Sequence, residues 1–263
     1  MVIQIETVRT NTFEMNYFHF GTGEKPFVIL PGLSLKSAMG AADAIAEAYR
    51  KFTKEYTVYV MDRRAQLPPV YPIRDMARDT ALAVSTIGLQ HIFLFGTSQG
   101  GMIAQCIAAD HPDLAAKLVL GSTAARTPEH SAEVVRNWIR LAGEGKTTEL
   151  NRNFAEMVYT ENFFRQYKDL ILAAGEGVSN EDLERFMILA RGIERFDITG
   201  ALHRISCPVL VLGAEKDRIF GPEASEEIAE KIGCSCYIYK EYGHAVYDEA
   251  PDYQDRILEF LKE

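Results

Sequence analysis

Three short motifs, far apart in the sequence, contain the side chains that an acyl-transfer site requires. A serine lies at the centre of Gly96-Thr97-Ser98-Gln99-Gly100, Asp217 ends Glu215-Lys216-Asp217, and His244 follows Tyr242-Gly243. A serine hydroxyl is a weak nucleophile until a neutral imidazole accepts its proton, and a carboxylate holds that imidazole in the required tautomer. We therefore predict Ser98 as the nucleophile, His244 as its base and Asp217 as the orienting acid.

The residues around Ser98 predict a sharp turn from a strand into a helix. The apolar run Ile92-Phe93-Leu94-Phe95 precedes the motif, and an alanine-rich stretch over residues 102–108 follows it. Glycine two residues before and two residues after the serine permits the strained backbone that raises the hydroxyl above a sheet. Gly-x-Ser-x-Gly also occurs by chance, and a serine that merely caps a helix is the alternative, but the flanking strand and helix favour the nucleophile.

Asp217 and His244 each follow a predicted strand, which places them at the same sheet edge as Ser98. The order serine, aspartate, histidine is the one that this strand-turn-helix arrangement uses. Glu215 is the nearest rival carboxylate, and an aspartate that caps the helix beginning near Pro222 is the alternative role for Asp217. The other histidines are predicted to be solvated or structural: His19, His91, His111, His130 and His203.

Two backbone amides are predicted to bind the oxyanion of the tetrahedral intermediate. One belongs to Gln99, directly after the nucleophile, and the other to Leu33 in Leu30-Pro31-Gly32-Leu33-Ser34. Such donors stabilise the negative charge that develops on the carbonyl oxygen in the transition state. Gly32 allows a close backbone approach, although an ordinary Pro-Gly turn is the alternative interpretation.

Strands and helices alternate along the N-terminal half of the chain. Apolar runs bounded by turn residues predict strands buried on both faces, and segments of helical periodicity separate them. The predicted strands are 27–30, 58–61, 92–95, 118–120 and 209–212, and the predicted helices are 37–51, 73–87 and 99–109. Segments 2–8 and 13–20 alternate with period two and predict an antiparallel hairpin at the sheet edge. The predicted fold class is α/β, with a mostly parallel central sheet flanked by helices.

From residue 126 to residue 204 the alternation stops, and the chain has the pattern of successive amphipathic helices without a strand. We predict an all-helical cap over 126–204, inserted into a core formed by 1–125 and 205–263. Thr127-Pro128-Glu129 indicates a helix start with proline at the first helical position, and Ser179 with Asp182 resembles a capping box. Several cap residues are candidates to line an apolar substrate pocket, with packing inside the cap as the alternative: Trp138, Phe154, Met157 and Phe163.

Composition and charge restrict the classes of partner. The chain has 263 residues, 47% of them hydrophobic, and a formal net charge of -9 at pH 7. Binding to nucleic acid or an anionic membrane needs a basic face, so we expect neither partner and instead a small neutral or apolar substrate. No signal-peptide pattern is visible, and no apolar run reaches the ~18 residues of a membrane span. We expect a soluble, cytoplasmic protein that is a monomer or homodimer.

The cysteines are predicted to be reduced thiols inside helices and strands rather than a disulfide framework. They are Cys106, Cys207, Cys234 and Cys236. Cys234 and Cys236 have neither a second cysteine pair nor a histidine at ligand spacing, so we expect no metal.

These motifs resemble those of the α/β-hydrolase superfamily, and the resemblance spans nearly the whole chain. It covers the strand before Pro31-Gly32, the Asp62-Arg63-Arg64 loop, the Ser98 turn, the helical cap, Asp217 and His244. Two loops depart from the common pattern. Many relatives have His-Gly where this chain has Pro31-Gly32, which changes the loop of the Leu33 donor, and relatives often continue Arg-Gly where this chain has Arg64-Ala65.

The resemblance implies a cofactor-independent hydrolase that acts on an ester, thioester, lactone, amide or carbon-carbon bond. Serine at position 98 separates the chain from dehalogenase relatives, which need Asp there. We expect cleavage of a carboxylic ester, thioester or lactone of a small to medium apolar substrate through an acyl-enzyme. A carbon-carbon bond hydrolase or lyase with the same triad is the second hypothesis, and a ligand receptor with slow turnover is the third.

Overall fold

The computed structural model describes residues 3–263, and its centre is an eight-stranded sheet with the order β1-β2-β4-β3-β5-β6-β7-β8. The strands are β1 (Glu6–Arg9), β2 (Glu14–Phe20), β3 (Lys25–Leu30), β4 (Tyr56–Arg64), β5 (Ile92–Thr97), β6 (Ala115–Gly121), β7 (Val209–Ala214) and β8 (Ser235–Tyr239). From β4 to β8 all neighbours are parallel, whereas β2 pairs antiparallel with both β1 and β4. The predicted fold class, α/β with a mostly parallel sheet, is confirmed.

Helices connect most of these strands. They are α1 (Ala42–Ala48), α2 (Ile73–Thr86), α3 (Gln99–Asp110), α4 (Glu129–Gly143), α5 (Thr147–Val158), α6 (Glu161–Ala174), α7 (Asn180–Arg191), α8 (Pro222–Ile232), α9 (Val246–Glu249) and α10 (Tyr253–Lys262). The predicted helix over 37–51 is shorter in the structure, because residues 38–41 form a 3-10 turn before α1. Gly40 lies in that turn, and glycine is a poor residue for a helix interior. Across residues 3–263, no helix is long and apolar enough to cross a membrane.

Both faces of the sheet are covered, which explains why its central strands are continuous apolar runs. Along β3, Val28 and Leu30 join an apolar cluster with residues of α2, α3 and α8. Phe27 and Ile29 point the other way and join a second cluster with residues of α1 and α10. The core therefore has two apolar layers, and the ends of the strands are left to form the site.

The N-terminal hairpin forms, but its first strand is shorter than predicted. β1 includes only Glu6–Arg9, and Glu6 pairs with Tyr17 of β2. Val2, the start of the predicted segment, lies outside the described residues. Ile3 donates its backbone N–H to Asp43 Oδ1 of α1 at 2.8 Å, so here the chain bonds to a helix instead of extending the sheet.

Between β6 and β7 the chain forms four consecutive helices, α4 to α7, as the helical periodicity predicts. The ends of this helical insertion lie together, because Arg126 and Asp197 form an antiparallel bridge. The capping box between Ser179 and Asp182 is confirmed. The predicted cap at Thr127 is wrong: its hydroxyl donates to Ile193 O at 2.5 Å and ties the insertion's ends together, while Pro128 precedes α4. The division into core and cap domains stays a prediction.

The cysteines differ in their burial. All four are free thiols, and burial in α3 raises the pKa of Cys106 to about 12. Cys207 and Cys234 are half-buried and lie just before β7 and β8, so their predicted position inside strands is wrong. Cys236 is exposed, which contradicts the expected buried position, because β8 is an edge strand whose first three residues face solvent.

Candidate active site

Ser98 lies on a strained turn between β5 and α3. Its backbone has φ 52° and ψ −122°, and such conformations cost on the order of 1–3 kcal/mol for a residue with a side chain. Two neighbours hold the turn: Ser98 donates its N–H to Gly121 O at 2.9 Å, and Thr123 Oγ1 donates to Ser98 O at 2.7 Å. The surrounding structure therefore imposes the strain and places Ser98 at the carboxyl edge of the sheet.

Close backbone contacts require the glycines on both sides of Ser98. A Cβ atom added to Gly96 would overlap the carbonyl of Gly100, and a Cβ added to Gly100 would overlap the carbonyl of Leu30 at the end of β3. Because both obstacles are backbone atoms, they cannot move aside as a flexible side chain would. The glycine spacing thus follows from the packing of the turn against itself and against β3.

Gly100→Ala is expected to lower the free energy of unfolding by about 2–3 kcal/mol, because the added methyl group overpacks the turn against β3. Chemical denaturation measures this change. Gly40→Ala is the matched control, since a Cβ there meets no atom within 4 Å, and we expect it to change stability by less than about 0.5 kcal/mol. Equal effects of the two substitutions would contradict the packing argument.

Asp217 and His244 are in contact beyond the carboxyl ends of β7 and β8. His244 Nδ1 and Asp217 Oδ2 are 2.8 Å apart, and both side chains are almost completely buried. The second carboxylate oxygen, Oδ1, accepts the backbone N–H groups of Ile219 and Phe220 at 2.7 and 3.0 Å. Because Oδ1 is occupied, Oδ2 faces the imidazole, which favours a proton on Nδ1 and leaves Nε2 able to act as a base.

The two alternatives for the acidic residue fit the structure less well. Glu215, the rival carboxylate, has an exposed side chain, and its backbone N–H donates to Tyr239 O at 2.9 Å. The N-cap of α8 is Gly221, so Asp217 does not cap that helix. The ring of Phe220 lies 5.5 Å from the His244 imidazole, centroid to centroid, and helps to bury the Asp217–His244 pair.

Ser98 and His244 lie at the same edge of the sheet. The structure, which describes both residues, shows no hydrogen bond between their side chains. In the strand order β5-β6-β7-β8, one strand separates β5 from β7 and two strands separate β5 from β8. In free enzymes such pairs are often loose and tighten only when substrate binds. The pairing of Ser98 with His244 therefore stays a prediction.

The loop after β3 lies directly against Ser98. A Cβ added to Gly32 would be 3.1 Å from Ser98 Cβ and 3.7 Å from its Oγ, so glycine leaves space beside the nucleophile. Gln99 begins α3, and backbone N–H groups in the first turn of a helix lack partners in the helix and attract negative charge. Leu33 follows Gly32 with a buried side chain. Both positions are compatible with the predicted oxyanion donors, and that role stays a prediction.

Helices of the insertion cover the site from two sides. Gln99 Nε2 donates to Leu189 O of α7 at 2.8 Å, and the Ala245 N–H donates to Val158 O at the end of α5 at 2.9 Å. The residues that follow Ser98 and His244 are therefore each hydrogen-bonded to the insertion. Beside Gln99, a cavity of about 20 Å³ lies between the Pro31–Gly32 loop and α7. It has room for roughly one water molecule, so we expect substrate entry to need movement of the insertion.

Comparison with known proteins agrees with this geometry. A model of the alpha/beta hydrolase fold matches residues 25–251. The chain belongs to the α/β-hydrolase family. It is 26% identical over 250 residues to a putative carbamate hydrolase RutD of Pseudomonas savastanoi pv. phaseolicola, covering 88% of this chain and 93% of that protein. It is 22% identical over 252 residues to 3-oxoadipate enol-lactonase 2 of Acinetobacter baylyi, covering 94% and 92%.

A solved structure is also similar over the full length of this α/β-hydrolase. The thermophilic esterase from Thermogutta terrifontis superposes with a TM-score of 0.80 at 27% identity, covering 100% of this chain and 98% of that one. These relatives are named as hydrolases, an enol-lactonase and an esterase, so this chain is a member of an enzyme family.

Two of the aromatic residues predicted to line a pocket lie inside the helical insertion of this α/β-hydrolase. Trp138 is 2% exposed, donates Nε1 to Asn153 Oδ1 at 3.0 Å, and packs on Phe154 with ring centroids 4.7 Å apart. Met157 is half-buried against the same apolar cluster. For Trp138 and Phe154, packing within the insertion accounts for the observed contacts.

Phe163 lies on a different surface of the α/β-hydrolase. It lines a cavity of about 470 Å³ with Lys216, Arg218 and Tyr242, and Ser98 is not among the lining residues. Its ring lies 4.6 Å from that of Tyr167, centroid to centroid. A substrate-lining role for these four residues stays a prediction.

The sequence analysis assigned no role to two arginines that lie beside Gln99 in the structure. Arg63 ends in the small cavity at Gln99, and Arg185 of α7 lines the same cavity from the insertion. The signal in the sequence was the pair of consecutive arginines, Arg63 and Arg64, with which β4 ends. In residues 3–263, no three His, Cys, Asp or Glu side chains are grouped so that they could hold a metal ion.

Proposed function

We propose that this α/β-hydrolase is a serine hydrolase that cleaves a carboxylic ester, thioester or lactone through an acyl-enzyme. One observation carries the proposal: a buried carboxylate, Asp217, bonds to His244 Nδ1 at 2.8 Å, at the sheet edge where a strained turn presents Ser98. The relatives named as an enol-lactonase and an esterase favour an acyl-oxygen bond as the one cleaved.

Acylation begins when Ser98 Oγ attacks the carbonyl carbon of the substrate. The hydroxyl proton moves to Nε2 of His244, and Asp217 stabilises the imidazolium through Nδ1. The carbonyl oxygen becomes an oxyanion, which the backbone N–H groups of Gln99 and Leu33 bind. The bond to the leaving oxygen then breaks, and His244 returns its proton to that oxygen, which leaves Ser98 acylated.

Deacylation repeats these steps with water as the nucleophile. His244 Nε2 takes a proton from the water molecule, the resulting hydroxide adds to the acyl carbon, and the same two amides bind the second oxyanion. Collapse of this intermediate releases the carboxylic acid and returns the proton to Ser98 Oγ. Because α7 and α5 bond to Gln99 and Ala245, the residues that follow Ser98 and His244, we place the opening of the site before acylation and after deacylation.

A fluorophosphonate probe tests the proposal without knowledge of the substrate. We expect one phosphonyl group to add to Ser98 Oγ with loss of fluoride, detected by intact mass and located by peptide mapping. Ser85→Ala, which removes an exposed serine of α2, is the control and should label normally. Unchanged mass after treatment of the folded wild-type protein would count against the proposal. A panel of aryl esters, lactones, thioesters and carbamates then identifies the bond cleaved.

A further inference from the structure

Arg63 is a buried cation without a carboxylate partner for its guanidinium. The residue is 4% exposed, and its Nη2 donates to Pro31 O at 2.8 Å and to Gln99 Oε1 at 3.4 Å. Its Nε is buried and has no hydrogen-bond partner among the described residues. Burial lowers the pKa of Arg63 to about 10, so the side chain is still cationic at pH 7. An unpaired buried donor on a charged group is costly unless a ligand completes it.

The nearby arginines are paired, which sets Arg63 apart. Arg64 binds both oxygens of Asp79, at 2.5 and 2.9 Å. Arg185 donates to Asp62 Oδ1 at 2.6 Å. Arg63 reaches Asp62 only through its backbone N–H, at 2.7 Å. The carboxylates next to Arg63 are therefore used by other cations.

The side chain of Arg63 lines the cavity of about 20 Å³ beside Gln99, together with Lys36, Asp62 and Arg185. Three cations and one carboxylate give this lining a positive formal charge. Arg185 and Leu189 lie one helical turn apart on α7, so the insertion forms the roof of the cavity and its movement would open it. The local charge is thus opposite to the net charge of the whole chain.

We propose that Arg63 binds a carboxylate group on the acyl part of the substrate. This inference rests on the proposed function and specifies its substrate class as esters or lactones of acids that carry a second carboxylate. The free Nε offers one N–H to a carboxylate oxygen, and such a charge-assisted hydrogen bond is roughly twice as strong as a neutral one. This anionic substrate class differs from the neutral or apolar substrate expected from composition.

The strand order assigns the carboxylate to the acyl side of the scissile bond. Arg63 is the penultimate residue of β4, which lies on one side of Ser98 across β3, whereas His244 follows β8 on the other side. The leaving oxygen must face His244, because that imidazole returns the proton to it. The part of the substrate that extends toward β4 is therefore the acyl part.

A matched pair of chromogenic esters tests this assignment. The anionic substrate is the mono-4-nitrophenyl ester of adipic acid, and the neutral one is the 4-nitrophenyl ester of adipamic acid, in which an amide of nearly the same shape replaces the carboxylate. The corresponding pairs of pimelate and suberate esters have a longer chain between the ester carbonyl and the carboxylate or amide. We expect kcat/KM to be about tenfold or more higher for the anionic member of at least one pair.

Substitution of Arg63 separates substrate binding from a purely structural role. Arg63→Met should reduce the anionic-to-neutral ratio of kcat/KM to about one, chiefly through KM, and Arg63→Lys should retain an intermediate ratio. If Arg63 had a purely structural role and only oriented Pro31 and Gln99, Arg63→Met would lower kcat/KM equally for both esters. The anionic-to-neutral ratio would then be unchanged. Arg165→Met, which removes an exposed cation from α6, is the control for net charge.

Ligand binding gives a second measurement that needs no turnover and no variant. Calorimetry of the wild-type protein should show adipate, pimelate or suberate binding, with the corresponding diamide, which has no carboxylate, at least about tenfold weaker. Equal kcat/KM for the anionic and neutral esters overturns the inference, even if the fluorophosphonate labels Ser98. Equal affinity for the diacid and its uncharged analogue overturns it as well. Absence of that label with diacid preference retained would overturn the proposed function instead.

Discussion

Ser98→Ala is expected to lower kcat for any ester that the wild-type enzyme hydrolyses by about 10⁴-fold to 10⁶-fold. The substitution removes the oxygen that forms the acyl-enzyme, and water has no comparably positioned substitute. The turn itself should persist, because the contacts of Gly121, Thr123 and Gly100 that impose the positive φ involve backbone atoms of residue 98 and its neighbours. Steady-state kinetics with a chromogenic ester gives the measurement.

The control for Ser98→Ala is its thermal unfolding. We expect a melting temperature within a few degrees of the wild type, since only one partly exposed oxygen is lost. The variant should also remain unlabelled by the fluorophosphonate. Retention of activity within tenfold of the wild type, with the fold intact, would refute Ser98 as the nucleophile.

Asp217→Asn is expected to lower kcat by about 10⁴-fold while leaving the fold unchanged. The reason lies in the two backbone N–H groups of Ile219 and Phe220, which bind one oxygen of the side chain. An asparagine must keep its only oxygen on these donors, so its NH₂ group faces His244 Nδ1. The imidazole then carries its proton on Nε2, which is the tautomer that cannot accept the proton of Ser98.

Glu215→Gln is the matched control, because it makes the same chemical change in the same loop on an exposed side chain. We expect its kcat to stay within about twofold of the wild type, since surface substitutions rarely disturb a buried site. The pH profile adds a second readout: Asp217→Asn should recover part of its activity at high pH, where hydroxide removes the need for the imidazole as base. Comparable losses in both variants would refute the assigned role of Asp217.

Much of the architecture could be predicted because it depends on local patterns. The runs that became β3, β5 and β7 are apolar throughout, since helices cover both faces of the sheet, and the loss of alternation after residue 126 marked α4 to α7. The errors occurred where a distant partner competed with the local pattern. Ile3 bonds to Asp43 of α1, and the Thr127 hydroxyl bonds to Ile193 at the far end of the insertion.

The candidate site also has features that local patterns predict and features that depend on distant residues. The backbone strain at Ser98 and the need for glycine at position 100 follow from a short motif, so the sequence was sufficient to predict the strained turn between β5 and α3. The preference for Asp217 over Glu215 could be argued from loop length, but the contact with His244 is visible only in three dimensions. Trp138 and Phe154 were candidates to line a substrate pocket because they are aromatic residues of the predicted cap. In the structure their rings pack on each other.

By itself the sequence determined which residues can do chemistry and at which sheet edge they emerge, because residue type and strand periodicity are local properties. Only the tertiary structure decided which charges remain unpaired there. Arg63 and Arg64 are adjacent and chemically identical, but successive residues of a strand point to opposite faces, so Arg64 meets Asp79 and Arg63 lines a cavity beside Gln99. Charge pairing depends on side chains that arrive from distant segments, which a linear pattern does not record.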